Sequence, residues 1–120
     1  MSLKSGRDLI ADAKTRIRLV NVDAVKAALG GPNPPRLLDV RDANETNLGR
    51  IPGATTISRG NLETKVEAIL DRGDAIVVYC ASDNRSSLAA DTLREMGYKD
   101  VVAMSGGWGA WVASGGAVEG

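Results

Sequence analysis

Five short runs rich in apolar and β-branched residues, 18–20, 36–40, 55–57, 75–79 and 101–104, recur along the chain, mostly with segments of helical periodicity between them. Runs this short and this apolar suit parallel strands, whose crossover connections lay helices over both faces of one sheet. The spacing predicts helices over 7–17, 22–29, 62–70 and 86–96, a weak helical turn from Glu45 to Leu48 and a short terminal helix opening at Gly106-Gly107. It turns three apolar sets inward: Ile10, Ala13 and Ile17; Val22, Val25 and Leu29; and Leu62, Val66, Ile69 and Leu70. The expected class is therefore α/β. At 120 residues the chain suits a single domain over 1–120, with its motif-bearing core at about 18–113 behind an N-terminal amphipathic helix. The segment Pro32-Asn33-Pro34-Pro35 reads as a loop within that domain.

Ligands of such sheets collect at the carboxyl ends of the strands. Asp39 and Cys80 both fall there. The stretch Val77-Val78-Tyr79-Cys80-Ala81-Ser82-Asp83-Asn84-Arg85-Ser86 reads as a strand, a short polar loop and a helix start. Backbone N–H groups of such a loop can turn around a sulfur, and the first helical turn adds unpaired N–H groups and partial positive charge. Cysteines at helix N-termini or beside cations are readily held as thiolates. Cys80 is the candidate nucleophile, and the N–H groups from Ala81 through Ser82, Asp83 and Asn84 to Ser86 are its candidate cradle.

Composition narrows the chemistry. There is no histidine and one cysteine, which excludes Ser-His-Asp and Cys-His pairs, zinc sites of the usual ligands and any intramolecular disulfide. Lysine plus arginine balance aspartate plus glutamate at 15 each, so there is no basic field for nucleic acid or an acidic membrane surface. No apolar run approaches the roughly 18 residues of a membrane span, and the opening residues lack the apolar stretch of a secretory signal. A cytoplasmic setting is expected, with no cofactor, no metal, no nucleic acid and no membrane partner.

Taken together, these motifs resemble the single-domain rhodanese, or thiosulfate sulfurtransferase, family. Leu37-Leu38-Asp39-Val40-Arg41 resembles its first motif, and Glu45 with Gly49-Arg50-Ile51-Pro52-Gly53-Ala54 its glutamate and Gly-His-Ile-Pro-Gly-Ala segment. Tyr79-Cys80 through Arg85-Ser86 resembles the active-site loop, and Gly106-Gly107-Trp108 with Trp111 the C-terminal signature. The resemblance implies a rhodanese-like α/β/α fold and a Cys80 persulfide. That persulfide would take sulfane sulfur from thiosulfate or a similar donor and hand it to cyanide, a small thiol or a protein thiol. It implies Arg85 as the cation for departing sulfite, though Arg85 could instead pair with Asp39 or Asp42. Asp39, Arg41 and Glu45 are expected to brace the site: Asp39 by accepting hydrogen bonds from the loop or Arg85, Arg41 and Glu45 by pairing with each other or lining the rim. Ser86 is expected to cap the helix or brace the loop. Both tryptophans are expected in the core, with Trp108 a candidate wall of the pocket.

The loop places four residues between Cys80 and Arg85, as sulfurtransferases of this fold do. The related phosphatases and arsenate reductases have one more. Asp83 stands where the family commonly has glycine, and Arg50 where it has histidine. A carboxylate about 6 Å from a substrate anion would repel it by roughly 3 kcal/mol at an effective dielectric of 20. Facing solvent, or paired with Arg59 or Arg85, it would matter little. Removing the charge by Asp83→Gly is thus expected to raise kcat/KM for thiosulfate. The alternatives are a non-catalytic binding module of the same fold and an arsenate reductase or phosphatase.

Overall fold

The strand that ends at the cysteine is the centre of the sheet. In the computed structural model, which describes residues 3–120, β4 (Ile76–Tyr79) lies between β5 (Val101–Met104) and β2 (Arg36–Asp39). Outside these run β1 (Arg18–Val20), beside β5, and β3 (Thr55–Thr56), beside β2. Every pairing is parallel, in register Asp39 to Tyr79 and Val78 to Ala103. The first two residues of the chain lie outside the described part.

Successive strand side chains point to opposite faces. On β4 this sends Ile76 and Val78, with Cys80 just beyond, to one side and Val77 and Tyr79 to the other. The first side is covered by α4 (Leu62–Lys65) and α5 (Asn84–Glu95), which contribute Leu62, Ala89 and Leu93 to its core. The second is covered by α2 (Val22–Leu29) and α6 (Gly107–Ala113) through Val22, Val25 and Trp111. The result is the expected three layers, with helices on both faces of a five-stranded parallel sheet. No helix among the described residues is long and apolar enough to cross a membrane.

Two helices differ from the sequence expectation. The segment 62–70 is one α-helical turn followed by a 3₁₀ turn at Val66–Ala68. Its apolar stripe is Leu62, Val66 and Leu70 at four-residue intervals, all buried, so Ile69 is left 43% exposed. α1 (Gly6–Arg16) begins on a Ser5 cap whose hydroxyl accepts from the Asp8 N–H. Of its expected inner set only Ala13 is buried, while Ile10 and Ile17 are half-buried. This helix packs on α5 through Ala13 and a bidentate Arg16–Asp91 pair at 2.8–3.2 Å.

Candidate active site

Cys80 follows β4 on the α5 side of the sheet and is 1% exposed. One flank of its side chain meets the apolar core of Leu38, Val40, Val78 and Ala89. The other meets Ser86: the backbone N–H donates to Sγ at 3.3 Å, and the Ser86 hydroxyl also lies 3.3 Å from Sγ. That hydroxyl is equally 3.3 Å from the Asp83 carbonyl. It can relay a thiol hydrogen bond to the carbonyl, or turn its single proton onto a thiolate.

The loop carbonyls turn the other way. Trp108 N–H donates to Cys80 O at 2.7 Å and Gly109 N–H to Ala81 O at 3.2 Å, so the first turn of α6 holds the loop from behind. Among the described residues, no N–H group from Ala81 to Arg85 has a protein acceptor. Of the candidate cradle, then, Ser86 alone touches the sulfur, while Ala81, Ser82, Asp83 and Asn84 carry N–H groups with no protein acceptor among the described residues. Ala81, Ser82 and Asn84 are exposed. α5 begins two residues earlier than the apolar pattern indicated, at Asn84 with Asp83 in the N-cap position, so Ser86 sits inside the first turn and does not cap it.

Arg85 pairs with neither Asp39 nor Asp42. Its guanidinium donates two hydrogen bonds to Glu45, Nη1 to Oε2 at 2.6 Å and Nη2 to Oε1 at 2.9 Å. Glu45 lies on α3 (Ala43–Thr46), and its Oε2 also accepts from the Asp42 N–H at 3.0 Å. The bond from Arg85 holds the Glu45 carboxyl down at about 2 against the opposing effect of burial. Reciprocally, the bond to Glu45 raises the pKa of Arg85 against the opposing effect of burial. A guanidinium carries five N–H donors, and Glu45 occupies only two of Arg85's.

Asp39 and Arg41 are a separate unit. Parity along β2 turns Leu38 and Val40 to the Cys80 side and Leu37 to the α6 side. Asp39 follows Leu37, which is why it meets neither the cysteine loop nor Arg85. It accepts instead from Arg41, through the backbone N–H, Nε and Nη2 at 2.7–3.2 Å, with both residues buried. Arg41 Nη2 donates also to Gly49 O at 2.8 Å, and the guanidinium stacks 4.6 Å from the Trp108 ring centroid. The expected pairing of Arg41 with Glu45 is thus absent; Arg41 is 3% exposed and lies at the floor of a cleft lined also by Ala43, Thr46, Thr56 and Ser58. Burial opposes the charge of Arg41, but the bonds to Asp39 outweigh it and raise its pKa.

The Asp83 carboxylate neither faces solvent alone nor pairs with Arg59 or Arg85. Its Oδ1 accepts from the Gly106 N–H at 2.8 Å, tying the loop to the turn before α6. Asp83 has φ −125°, an ordinary backbone for aspartate. Arg59 is engaged elsewhere, with Glu63 and Thr92. Arg50 pairs through its backbone with Glu119. Sequence reasoning gave no role to Gly107, yet a Cβ there would lie 2.3 Å from Cys80 O and 2.4 Å from Ser82 O. The signal was the Gly106-Gly107 pair opening a helix, where adjacent glycines mark a close backbone approach.

A family model for the rhodanese-like domain matches residues 21–114. The chain belongs to the rhodanese-like domain family. The thiosulfate sulfurtransferase GlpE of Shewanella oneidensis is 38% identical over 77 residues, covering 63% of this chain and 74% of GlpE. YrkF of Bacillus subtilis, named as a sulfur carrier, is 28% identical over 91% of this chain, but the chain spans only 58% of YrkF. A solved Rhodopseudomonas palustris structure, a protein of unknown function described as a possible tyrosine phosphatase, superposes with a TM-score of 0.85 at 32% identity, covering 99% of this chain and 97% of that one. Sulfurtransferase is the activity for which GlpE of Shewanella oneidensis and GlpE of Pseudoalteromonas translucida are named. Among the described residues no group of three or more histidine, cysteine, aspartate or glutamate side chains is placed to hold a metal ion.

Proposed function

We propose that this chain is a single-domain sulfurtransferase that carries sulfane sulfur on Cys80. The observation that carries the reading is the contact of one sulfur with the Ser86 N–H and hydroxyl, at the foot of a loop whose remaining N–H groups are unpaired among the described residues and which leads into Arg85. In the loading step the Cys80 thiolate attacks the outer sulfur of thiosulfate. The S–S bond of the donor breaks, its electron pair leaves with sulfite, and Cys80-S-S⁻ remains. In discharge, cyanide takes the outer sulfur as thiocyanate and the Cys80 thiolate returns. A thiol acceptor, small or on a protein, would take the same place.

Each neighbour has a part in these steps. The donors from Ala81 to Arg85 suit the outer sulfur of the persulfide, and Ser86 suits the inner one. The free N–H groups of Arg85 suit the oxygens of thiosulfate and of departing sulfite, with Glu45 fixing the plane of the fork. Asp39 and Arg41 act behind the site, by holding the β2–α3 corner from which Glu45 projects. The four-residue spacing from Cys80 to Arg85 favours sulfur over the wider loop of a phosphatase. A reducing compartment such as the cytoplasm suits a lone reactive thiol.

Mass spectrometry of the protein after thiosulfate treatment tests the reading. It expects a gain of about 32 Da on the Cys80 peptide, removed by cyanide and absent in Cys80→Ser, as covalent catalysis requires. An unmodified Cys80 after treatment would overturn it in favour of a binding module.

A further inference from the structure

A cleft of about 380 Å³ lies at the amino ends of the strands, the edge of the sheet opposite to the one where Cys80 emerges. Its lining includes Arg18 and Val101, the first residues of β1 and β5, together with Arg16, Arg94 and Lys99. Among the described residues Asp100 is the one acid in that lining. Arg16 ends α1 and Arg94 lies in the last turn of α5, yet both reach the same carboxylate, that of Asp91, which is 8% exposed. Each donates Nε to the same Asp91 Oδ1, at 3.0 and 3.1 Å, so one carboxylate holds two guanidiniums side by side. Each also places Nη2 on Asp91, at 2.8 and 3.1 Å, and neither Nη1 has a protein partner among the described residues. Arg18 and Lys99 add two further cations that form no ion pair among those residues. Glu95 stands 3.8 Å from Arg94 outside the lining, so even with Asp91 and Asp100 counted the acids do not match the four cations. The chain as a whole carries no net charge, and this surplus is therefore local.

We propose that this cleft binds a compact diphosphate group, two joined phosphates of the kind found in inorganic pyrophosphate. The site is separate from the sulfur chemistry and does not depend on the persulfide reading. Two guanidiniums fixed in place by a shared carboxylate keep donors for the oxygens of one phosphate, because planar forks match that group. Arg18 and Lys99 supply the charge for the second. At about 30 Å³ for each water the cleft has the volume of roughly a dozen, which leaves room for two joined tetrahedra. It offers no platform for a nucleobase. Tyr98 is the one aromatic residue in the lining and is 1% exposed, with its hydroxyl donating to Leu70 O and Arg72 lying 5.0 Å from its ring centroid. The phosphates themselves are therefore what the cleft recognises. Arg16 and Arg18 precede the segment 21–114 that matches the family, so the site draws on sequence outside that match.

Titration calorimetry of the full chain at low salt, with inorganic pyrophosphate and with inorganic phosphate, tests the site. The wild type should bind pyrophosphate at least about tenfold more tightly than phosphate, and both should weaken as salt is raised. The double variant Arg18→Gln/Lys99→Gln alters two exposed side chains and breaks no ion pair, and it should weaken pyrophosphate binding about fivefold. Arg7→Gln/Lys14→Gln removes the same charge from unpaired cations elsewhere on α1 and should leave the affinity within about twofold. Equal losses in the two double variants, or a wild type that does not bind pyrophosphate, would overturn the proposal. ADP carries the same diphosphate and should bind no more tightly than pyrophosphate; binding tighter by tenfold would show that the nucleoside is read instead. Cys80→Ser should bind pyrophosphate as the wild type does, and a loss of binding there would move the anion to the cysteine loop and remove it from this cleft.

Discussion

Arg85, in the first turn of α5, and Glu45, on α3, are joined by two parallel hydrogen bonds of 2.6 and 2.9 Å across 40 residues of sequence. The pair fixes the plane of a guanidinium whose remaining N–H groups serve the departing sulfite in the proposed mechanism. Glu45→Gln keeps one acceptor oxygen but loses the fork and one negative charge. The two losses act on different constants. A loosely held guanidinium stabilises the leaving group less well, by about 1.4 kcal/mol, so kcat with thiosulfate should fall roughly tenfold. The gain in net positive charge favours the dianionic substrate, so KM should not rise. Steady-state kinetics with thiosulfate and cyanide check the split.

The same pair sets an acid limit on stability. The Glu45 carboxyl is held at about 2 in the folded protein, below its ordinary value of 4.5. Its contribution is fully present above that ordinary value and is lost as pH falls toward 2. After the screening a part-exposed pair suffers, it amounts to about 1–2 kcal/mol. Urea unfolding should show the wild type more stable than Glu45→Gln at pH 6, with the gap closing between about pH 4.5 and pH 2. A gap that is constant over that range would contradict the assignment.

Arg41 and Asp39 are expected to matter for stability far more than for chemistry. Both are buried on the α6 side of the sheet, with Arg41 also bound to Gly49 O and stacked on Trp108. The ammonium of Arg41→Lys cannot reproduce the fork, the carbonyl contact and the stacking together. It leaves a buried carboxylate partly unpaired, and a loss of about 2–4 kcal/mol is expected in chemical denaturation. The protein that remains folded should keep kcat within about threefold of the wild type. A large fall in kcat at full folding would instead place Arg41 in the reaction.

Much of this arrangement is legible in the sequence because it depends on local pattern. The five strands, the loop at Cys80 and the α5 helix all follow from apolar runs and turn residues. What the pattern does not give is which partner a charged side chain takes, because that depends on the face and the depth to which a strand delivers it. Asp39 at the end of β2 is near Cys80 in the sequence logic of strand ends, yet strand parity sends it to the other side of the sheet from the sulfur. Arg41 and Glu45 have helical spacing, but α3 starts only at Ala43, so Arg41 is outside that helix and turns back onto Asp39. Ile69 was misplaced for a similar reason, since the 3₁₀ turn at Val66–Ala68 breaks the register that a regular helix would keep.

Asp83 gives a prediction opposite to the one its charge alone suggests. Its carboxylate caps the turn before α6 through the Gly106 N–H, so removing it costs a structural tie. Asp83→Asn retains an acceptor oxygen and should unfold within about 0.5 kcal/mol of the wild type. Asp83→Gly loses the acceptor and loosens the loop backbone, with an expected loss of about 1–2 kcal/mol. With the loop less firmly held, kcat/KM for thiosulfate should not increase in Asp83→Gly. A severalfold increase would show that the carboxylate is felt at the sulfur after all.

Gly107 is the position where a single methyl group should do most harm to the loop. Its φ of +53° is unfavourable for a side chain, and an added Cβ would fall 2.3 Å from Cys80 O, 2.4 Å from Ser82 O and 3.0 Å from the Ala81 carbonyl carbon. All three are backbone atoms of the cysteine loop, so no side-chain rotation relieves the overlap. The loop and α6 must separate, which breaks the bonds from Trp108 N–H to Cys80 O and from Gly109 N–H to Ala81 O. Gly107→Ala is expected to cost more than about 2 kcal/mol and, in protein still folded at low temperature, to slow sulfur loading from thiosulfate at least tenfold. Gly73→Ala, where a Cβ meets nothing within 4 Å and φ is not left-handed, supplies the control and should change neither quantity. If Gly107→Ala loads sulfur at the wild-type rate, the backing of the loop by α6 is not what presents its N–H groups to the persulfide.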